Sequence, residues 1–266
     1  MTTLDVRDLG TVLGVWAHPD DEAFLSAGLM ARVTDGGGHV ACVTATRGER
    51  GTSDPGAWPL ERLGRRRAVE LRASLAAVGV SDHRFLGYVD GTVADVDPQE
   101  GIERIGAILD QVQPDTVVTF GPDGMTGHDD HVAVSGWTTQ AVAAAGRPIQ
   151  LLYATTTAEF THRWAAVNRD LEAFAPGLPL ATPADRVALE LHLDADELDR
   201  KLVALAAQSS QMVPLIARLG EEVLRRWWGT ESFTEASTSN LGGRHRGVSD
   251  TRIGGFSSPV QEVLRT

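Results

Sequence analysis

The chain has 266 residues, 42% of them hydrophobic and 23% charged, with a formal net charge of −12. The single cysteine, Cys42, excludes an internal disulfide framework and a cysteine-built zinc finger, and the acidic balance argues against a nucleic-acid partner. No apolar run approaches the roughly 18 residues of a membrane span, and acids precede any apolar stretch at the start, so a cytoplasmic chain with no signal peptide and no membrane partner is expected.

In chain order, residues 11–17 (TVLGVWA) form an apolar run suited to a buried strand. His18-Pro19 ends it, since Pro19 cannot donate to a ladder and holds His18 extended. The acids Asp20, Asp21 and Glu22 then suit a helix N-terminus, and Phe24, Leu25, Leu29 and Val33 recur at helical spacing up to Gly36-Gly37-Gly38. Residues 39–46 (HVACVTAT) make a second strand, giving a βαβ unit with parallel strands. After a loop at 47–59 come a helix at 60–78, a short strand at 84–86 and a helix at 102–112. A buried strand at 116–120 (TVVTF), a loop at 121–127, a helix from His128 to Ala145 and a strand at 149–156 follow.

This alternation predicts a Rossmann-like, three-layer α/β fold with a mostly parallel sheet, its core spanning residues 1–156. Residues 157–266 read as a C-terminal extension of the same single domain, walling the cleft. It holds an alternating strand at 186–193, helices between 194 and 219 kinked or separated at Pro214, a last strand within 227–236 and a loop at 242–258.

Polar residues gather after two of the predicted strands, at His18-Pro19-Asp20-Asp21-Glu22 and at Gly127-His128-Asp129-Asp130-His131. Open α/β sheets place their sites at strand carboxyl ends, so two clusters leaving the same sheet edge can meet. Three imidazoles and four carboxylates without a thiolate suit a divalent metal such as Zn²⁺. They outnumber the three protein ligands of a catalytic zinc, and hydrolysis has uses for the surplus: a base for the water and a donor for the oxyanion. Taken alone, Asp-Asp-Glu after proline is as readily a helix cap, and His-x-x-His is often merely solvated. Both clusters at buried strand ends of one chain make that joint reading much weaker.

The first cluster, with Ala17, resembles the A-H-P-D-D-E signature of the LmbE-like or PIG-L de-N-acetylases, and the second resembles their G-H-x-D-H motif. Thr46-Arg47-Gly48-Glu49 is similar to the family's T-x-G-E. Arg67 to Leu71 is similar to its R-x-x-E-L helix, and Lys201 to Gln211 to its K-x-x-A-L-x-x-H-x-x-Q segment. The resemblance spans nearly the whole chain in order. It implies a Zn²⁺-dependent hydrolase that removes an N-acetyl group from an N-acetylglucosamine-containing small molecule or glycoconjugate, and it allows a homo-oligomer. His18, Asp21 and His131 match the metal ligands and Asp20 the general base. His128 matches the group that stabilises the oxyanion, oriented by Asp130. Arg67, with Arg47 beside the T-x-G-E segment, is implied to bind substrate.

Gln208 stands where many relatives have His, Thr126 where mycothiol-pathway relatives have Tyr, and Asp129 where Pro is common. The first two departures weigh against the mycothiol precursor as substrate. The alternatives are an amidase acting on a thiol conjugate or antibiotic, and a non-catalytic metal- or sugar-binding protein. The last has no use for Asp20 and His128. Trp227-Trp228 are read as core in preference to a sugar-lining pair, Arg65 and Arg66 as a solvated helix face, and Glu49 as either site support or loop. His39, His83, His162, His192 and His245 have no convergent partners. The Gly36–Gly38 run follows a helix, unlike a phosphate loop, and the first βα turn lacks the dinucleotide fingerprint.

Overall fold

The βαβ reading of the N-terminal half holds in the computed structural model, which describes residues 4–52 and 54–236. Strands β1 (Val12–Trp16), β2 (Val40–Thr44), β3 (Asp82–Phe85), β4 (Thr116–Phe120) and β5 (Gln150–Thr157) are parallel. Every residue of β1, β2 and β4 is buried, which is why their sequences are continuous apolar runs and not alternating ones. The sheet order is β3-β2-β1-β4-β5, extended by β8 (Thr230–Glu235), antiparallel to β5, and β7 (Leu189–His192), antiparallel to β8. A two-residue strand, β6 (Ala181–Thr182), pairs with the end of β5.

Helices α1 (Asp21–Asp35), α2 (Leu60–Ala77) and α8 (Ala195–Ala207) pack on one another, as do α3 (Pro98–Val112) and α5 (Asp129–Ala144). The result is a three-layer α/β fold with a mostly parallel sheet. The chain winds outward from β1 to β3 and then returns to place β4 on the other side of β1. The carboxyl ends of β1 and β4 therefore flank a topological switch point, where a crevice opens.

Several boundaries differ from expectation for local reasons. Helix α3 begins at Pro98 and not at 102, because Asp97 caps it by accepting from the Gln99 N–H (3.0 Å) and Pro98 suits the first turn. The expected loop at 121–127 contains a short turn, α4 (Gly124–Gly127). The break in the late helical segment lies at Gln208, between α8 and α9 (Ser209–Leu219), whose axes differ by 118°; Pro214 sits inside α9. What starts α9 is the buried Glu70 carboxylate, which accepts from Ser209 Oγ (2.8 Å), Ser210 N (3.0 Å) and Ser210 Oγ (2.6 Å). Helices α6 (Ala158–Arg163), α7 (Ala165–Asp170) and α10 (Glu221–Trp227) complete the C-terminal half. The loop expected at 242–258 lies outside the described residues. Among the described residues no single helix is long and apolar enough to cross a membrane.

A buried ion pair ties this half to the core. Lys201 Nζ donates to the Phe24 carbonyl (2.7 Å) and to Glu231 Oε1 (2.7 Å), and Glu231 accepts from the Gly28 and Leu29 N–H groups (2.8 Å each). The pair thus bonds to backbone groups of α1 at Phe24, Gly28 and Leu29.

Candidate metal and catalytic site

The β1–α1 turn sets the first cluster. Asp20 occupies the N-cap position of α1 at φ 107°, a left-handed conformation that costs a side-chain-bearing residue strain, yet its carboxylate makes no capping bond. Its carbonyl accepts from the Ala23 and Phe24 N–H groups, and its N–H donates to Glu22 Oε2 (3.0 Å), leaving the Asp20 carboxylate to face the crevice. Asp21 Oδ2 accepts from the His18 N–H (2.7 Å), which folds the carboxylate back toward the imidazole.

The second cluster enters from β4. Phe120, its last residue, stacks on the His131 ring at 4.1 Å between centroids. His131 Nδ1 donates to the Gly124 carbonyl (3.0 Å), so its other nitrogen, Nε2, carries the lone pair. His18 shows the complementary arrangement. Its Nε2 lies 3.1 Å from both Asp90 Oδ1 and Asp130 Oδ2, two acceptors that require the proton there, so Nδ1 is the nitrogen that carries the lone pair whenever the ring is neutral.

These two nitrogens, His18 Nδ1 and His131 Nε2, face each other at 3.1 Å. Asp21 approaches both, with Oδ1 at 3.4 Å from His131 Nε2 and Oδ2 at 3.8 Å from His18 Nδ1. Two imidazole nitrogens and a carboxylate converging in a buried site call for positive charge among them: a proton on His18, whose pKa is raised, against burial, by Asp90 and Asp130, or a metal ion in its place. Nitrogen and oxygen donors at such spacings match the edges of a tetrahedron around an ion with ligand bonds of about 2.0–2.2 Å. The residues present therefore fit a divalent metal. His18, His128 and His131 also bring one nitrogen each within 4.8 Å of one another, as do the ligand atoms of His18, Asp90 and Asp130.

The structure changes the expected role of Asp130. Its carboxylate does not orient His128. Oδ2 accepts from His18 Nε2 and the Gly91 N–H (2.7 Å), and Oδ1 from the Val93 N–H (3.0 Å). His128 is held instead by the backbone: its Nδ1 accepts from the Asp130 N–H (3.1 Å), because His128 is the N-cap of α5. With Nδ1 accepting, the proton of neutral His128 resides on Nε2. Burial, and then the charge of neighbouring His18, push the His128 pKa down to about 4, so the neutral form is favoured.

Arg67 also differs from expectation. It is 2% exposed, and its guanidinium donates to the Gly48 carbonyl (2.7 Å), the Pro19 carbonyl (2.5 Å) and Asp20 Oδ2 (3.1 Å). It braces the turn behind Asp20 and presents no edge to the crevice. Burial raises the Asp20 carboxyl pKa, and Arg67 opposes that shift. Gly48 permits the contact: at φ +61° its missing Cβ would lie 2.2 Å from Arg67 Nη1. Arg47, expected beside it, is exposed and rests its guanidinium over the Phe85 ring at 5.7 Å. Asp129 is exposed and stands apart from the site.

Asp90 was missed. It follows β3 in a stretch (Tyr88-Val89-Asp90-Gly91) that carries no metal-ligand spacing, yet it is buried against His18 and accepts from the Arg50 N–H (2.9 Å). Although burial raises its pKa, His18 outweighs burial and holds the carboxyl well below the usual range. Gln208 and Glu22 were also left without a role. Gln208 Nε2 donates to Glu22 Oε1 (2.7 Å), and Glu22 accepts from Ser74 Oγ (3.0 Å) as well, so they lock α1, α2 and α8 together beneath the site.

The crevice is lined by His18, Asp20, Asp21, His128 and His131 at one end and by residues of the C-terminal half, including Leu171, Phe174, Leu215, Trp227 and Trp228, at the other. The two tryptophans are buried, as expected of core residues, and they line the crevice as well.

The profile of the PIG-L family, described as GlcNAc-PI de-N-acetylase, matches residues 13–142. The chain is 35% identical over 233 residues to the 1D-myo-inositol 2-acetamido-2-deoxy-alpha-D-glucopyranoside deacetylase of Saccharomonospora viridis, covering 76% of this chain and 85% of that protein. The protein of the same name from Actinosynnema mirum is 36% identical over 231 residues, covering 76% and 80%. Among solved structures, the N,N'-diacetylchitobiose deacetylase from Pyrococcus horikoshii superposes with a TM-score of 0.59 at 21% identity, covering 86% of this chain and 85% of that one. Teicoplanin deacetylase Orf2 superposes with a TM-score of 0.62 at 18% identity, covering 86% and 99%. At these identities the superpositions speak to the fold.

Proposed function

Because this chain belongs to the PIG-L family of de-N-acetylases, we propose that it hydrolyses the N-acyl amide of an amino sugar, releasing a carboxylate and a free amine, with N-acetylglucosamine derivatives as the starting class. The observation that carries this reading is the pair of imidazole nitrogens, His18 Nδ1 and His131 Nε2, converging at 3.1 Å beside Asp21, with the Asp20 carboxylate unspent on capping. In this reading His18 Nδ1, Asp21 and His131 Nε2 hold one Zn²⁺. When bound, the metal supplies a water acidified toward neutrality and a Lewis acid for the amide carbonyl.

The remaining steps belong to side chains of this chain. Asp20 accepts a proton from the attacking water, and Arg67 keeps its carboxylate in place. His128 Nε2–H donates to the oxygen that gains negative charge, and no proton is lost in doing so. Asp20 then passes its proton to the departing nitrogen, so the amine leaves neutral. Asp130 and Asp90 act through His18, fixing its tautomer and ring orientation. Acetate release from N-acetylglucosamine derivatives, followed with zinc supplied and with a chelator, tests the reading. Release abolished by chelator and restored by zinc is expected. Release that survives complete metal removal would overturn it.

A further inference from the structure

The walls of the crevice beyond the metal donors are apolar to an unusual degree. The whole crevice, donor end included, measures about 100 Å³, and its apolar end is a chamber walled by Phe24, Leu171, Phe174, Leu215, Trp227 and Trp228. Among the described residues, apart from the five site residues, Thr126 is the only hydroxyl-bearing or charged lining side chain, its hydroxyl already lies 3.3 Å from His131 Nδ1 and 3.4 Å from the His128 N–H, and the Trp228 Nε1–H is buried without a partner. The Trp227 Nε1–H is spent on Asn168 Oδ1 at 2.9 Å. On the other flank of His18, toward the ends of β2 and β3, the surroundings are polar: Asp90 lies 3.1 Å from His18, its N–H is 3.3 Å from Glu49 Oε1, and Arg47 and Arg50 are exposed nearby.

The two halves of an N-acyl amino sugar differ in the same way. The amine side carries several hydroxyls, each of which needs a partner once buried, while the acyl side beyond the carbonyl carries none. The hydroxyls therefore belong on the polar flank and the acyl substituent in the chamber. A single acetyl methyl cannot touch walls contributed by so many aromatic and aliphatic side chains, and since the crevice is smaller than the roughly 150 Å³ apolar cavity that holds a benzene ring, a short alkyl chain suits it.

We propose that the apolar end of this crevice is an acyl subsite for a substituent larger than methyl, a short alkyl chain, so that the substrate is an amino sugar bearing an acyl group longer than acetyl. The inference rests on the amide-hydrolase reading and names its acyl group. The chemistry stays balanced: the C–N bond breaks, water supplies the new C–O bond, its proton goes to the amine, and the longer carboxylate departs.

The test uses the full chain supplied with zinc and compares N-acetyl-, N-butanoyl- and N-hexanoylglucosamine by free-amine detection. Each methylene that enters the chamber is expected to raise kcat/KM about fourfold, so that butanoyl exceeds acetyl by on the order of tenfold. Acetyl as the best substrate, with steady decline on lengthening, would overturn the proposal. So would acceleration by an octyl aglycone on N-acetylglucosamine without any gain from acyl lengthening, since the chamber would then serve the aglycone. Ala173→Leu, which fills the chamber from its wall, should lower the hexanoyl-to-acetyl ratio of kcat/KM at least tenfold. Leu215→Phe serves the same purpose if the first variant fails to fold by circular dichroism, and an unchanged ratio in a folded variant counts against the subsite. If no amide is hydrolysed, the proposed function fails, and the subsite is judged apart from it by tryptophan fluorescence. Hexanoate binding at least tenfold more tightly than acetate supports it, and equal binding refutes it.

Discussion

Replacing Asp130 by Asn separates the two roles this residue could have. In the native site one buried carboxylate serves three donors: His18 Nε2–H, the Gly91 N–H and the Val93 N–H. An asparagine offers one acceptor oxygen and one amino group, so whichever way the amide is turned, at least one of these donors faces another donor. Each bond lost at a buried, charge-assisted acceptor costs about 1–3 kcal/mol. The site has little room to recover the loss with water, since Asp130 is 1% exposed. His18 would lose its fixed tautomer, and loss of such support typically lowers metal affinity about 10- to 100-fold. The backbone N–H that holds His128 is unaffected, because Asn retains it. The assay is competition for Zn²⁺ against a chelator of known affinity, paired with denaturant unfolding of the metal-free protein. The expected result is weaker zinc binding together with reduced stability. Zinc affinity equal to wild type, with activity lost, would refute the His18 role and return Asp130 to His128. Coupling supplies an independent check: because Asp90 and Asp130 share His18 Nε2, the double variant with Asp90→Asn should depart from additivity by about 0.5–3 kcal/mol.

Asp20→Asn should retain zinc and lose about two to four orders of magnitude in kcat, measured by free-amine release with metal content determined in parallel. His131→Ala should lose zinc and activity together, read by metal analysis after dialysis. Gly48→Ala should displace the Arg67 guanidinium, because a Cβ would lie 2.2 Å from Nη1 at a φ of +61°; a stability loss of about 1–3 kcal/mol and a fall in kcat exceeding the change in KM are expected. Lys201→Met should cost about 3–5 kcal/mol in denaturant unfolding by stranding the buried Glu231 carboxylate. Burial and then Arg72 push the His83 pKa down to about 4, so the unfolded chain binds more protons between pH 4 and about 6.5. The contribution of His83 to stability should fall by about 3 kcal/mol as pH drops through that window, read as the difference between the pH–stability curves of the wild type and His83→Gln.

Much of the site was legible because its donors are local to strand ends. His18 and Asp21 lie within one turn after β1, and His128 and His131 lie at the start of the helix that follows β4. Buried parallel strands announce themselves as apolar runs, and proline, glycine and acid clusters mark where they stop, so a linear pattern located both halves of the crevice. Helix starts were less legible where the capping group is remote. Nothing near Ser209 in sequence signals that α9 begins there, because its cap is supplied by Glu70, 139 residues away.

The amino-acid sequence by itself determined the strand–helix alternation, the order in which the clusters leave the sheet and the chemical types of the side chains proposed to hold the metal. Each of these depends on residues within a few positions of one another. Only the tertiary structure decided who faces whom. Asp130 sits two residues from His128, yet its carboxylate is drawn to His18 and to the Gly91 and Val93 N–H groups, because the loop after β3 closes over it. Arg67 is turned inward by two carbonyls of neighbouring loops, and Asp90 is recruited from a segment with no signature of its own. Buried polar groups must find partners wherever the chain supplies them, and those partners are set by how distant loops pack and not by spacing along the sequence.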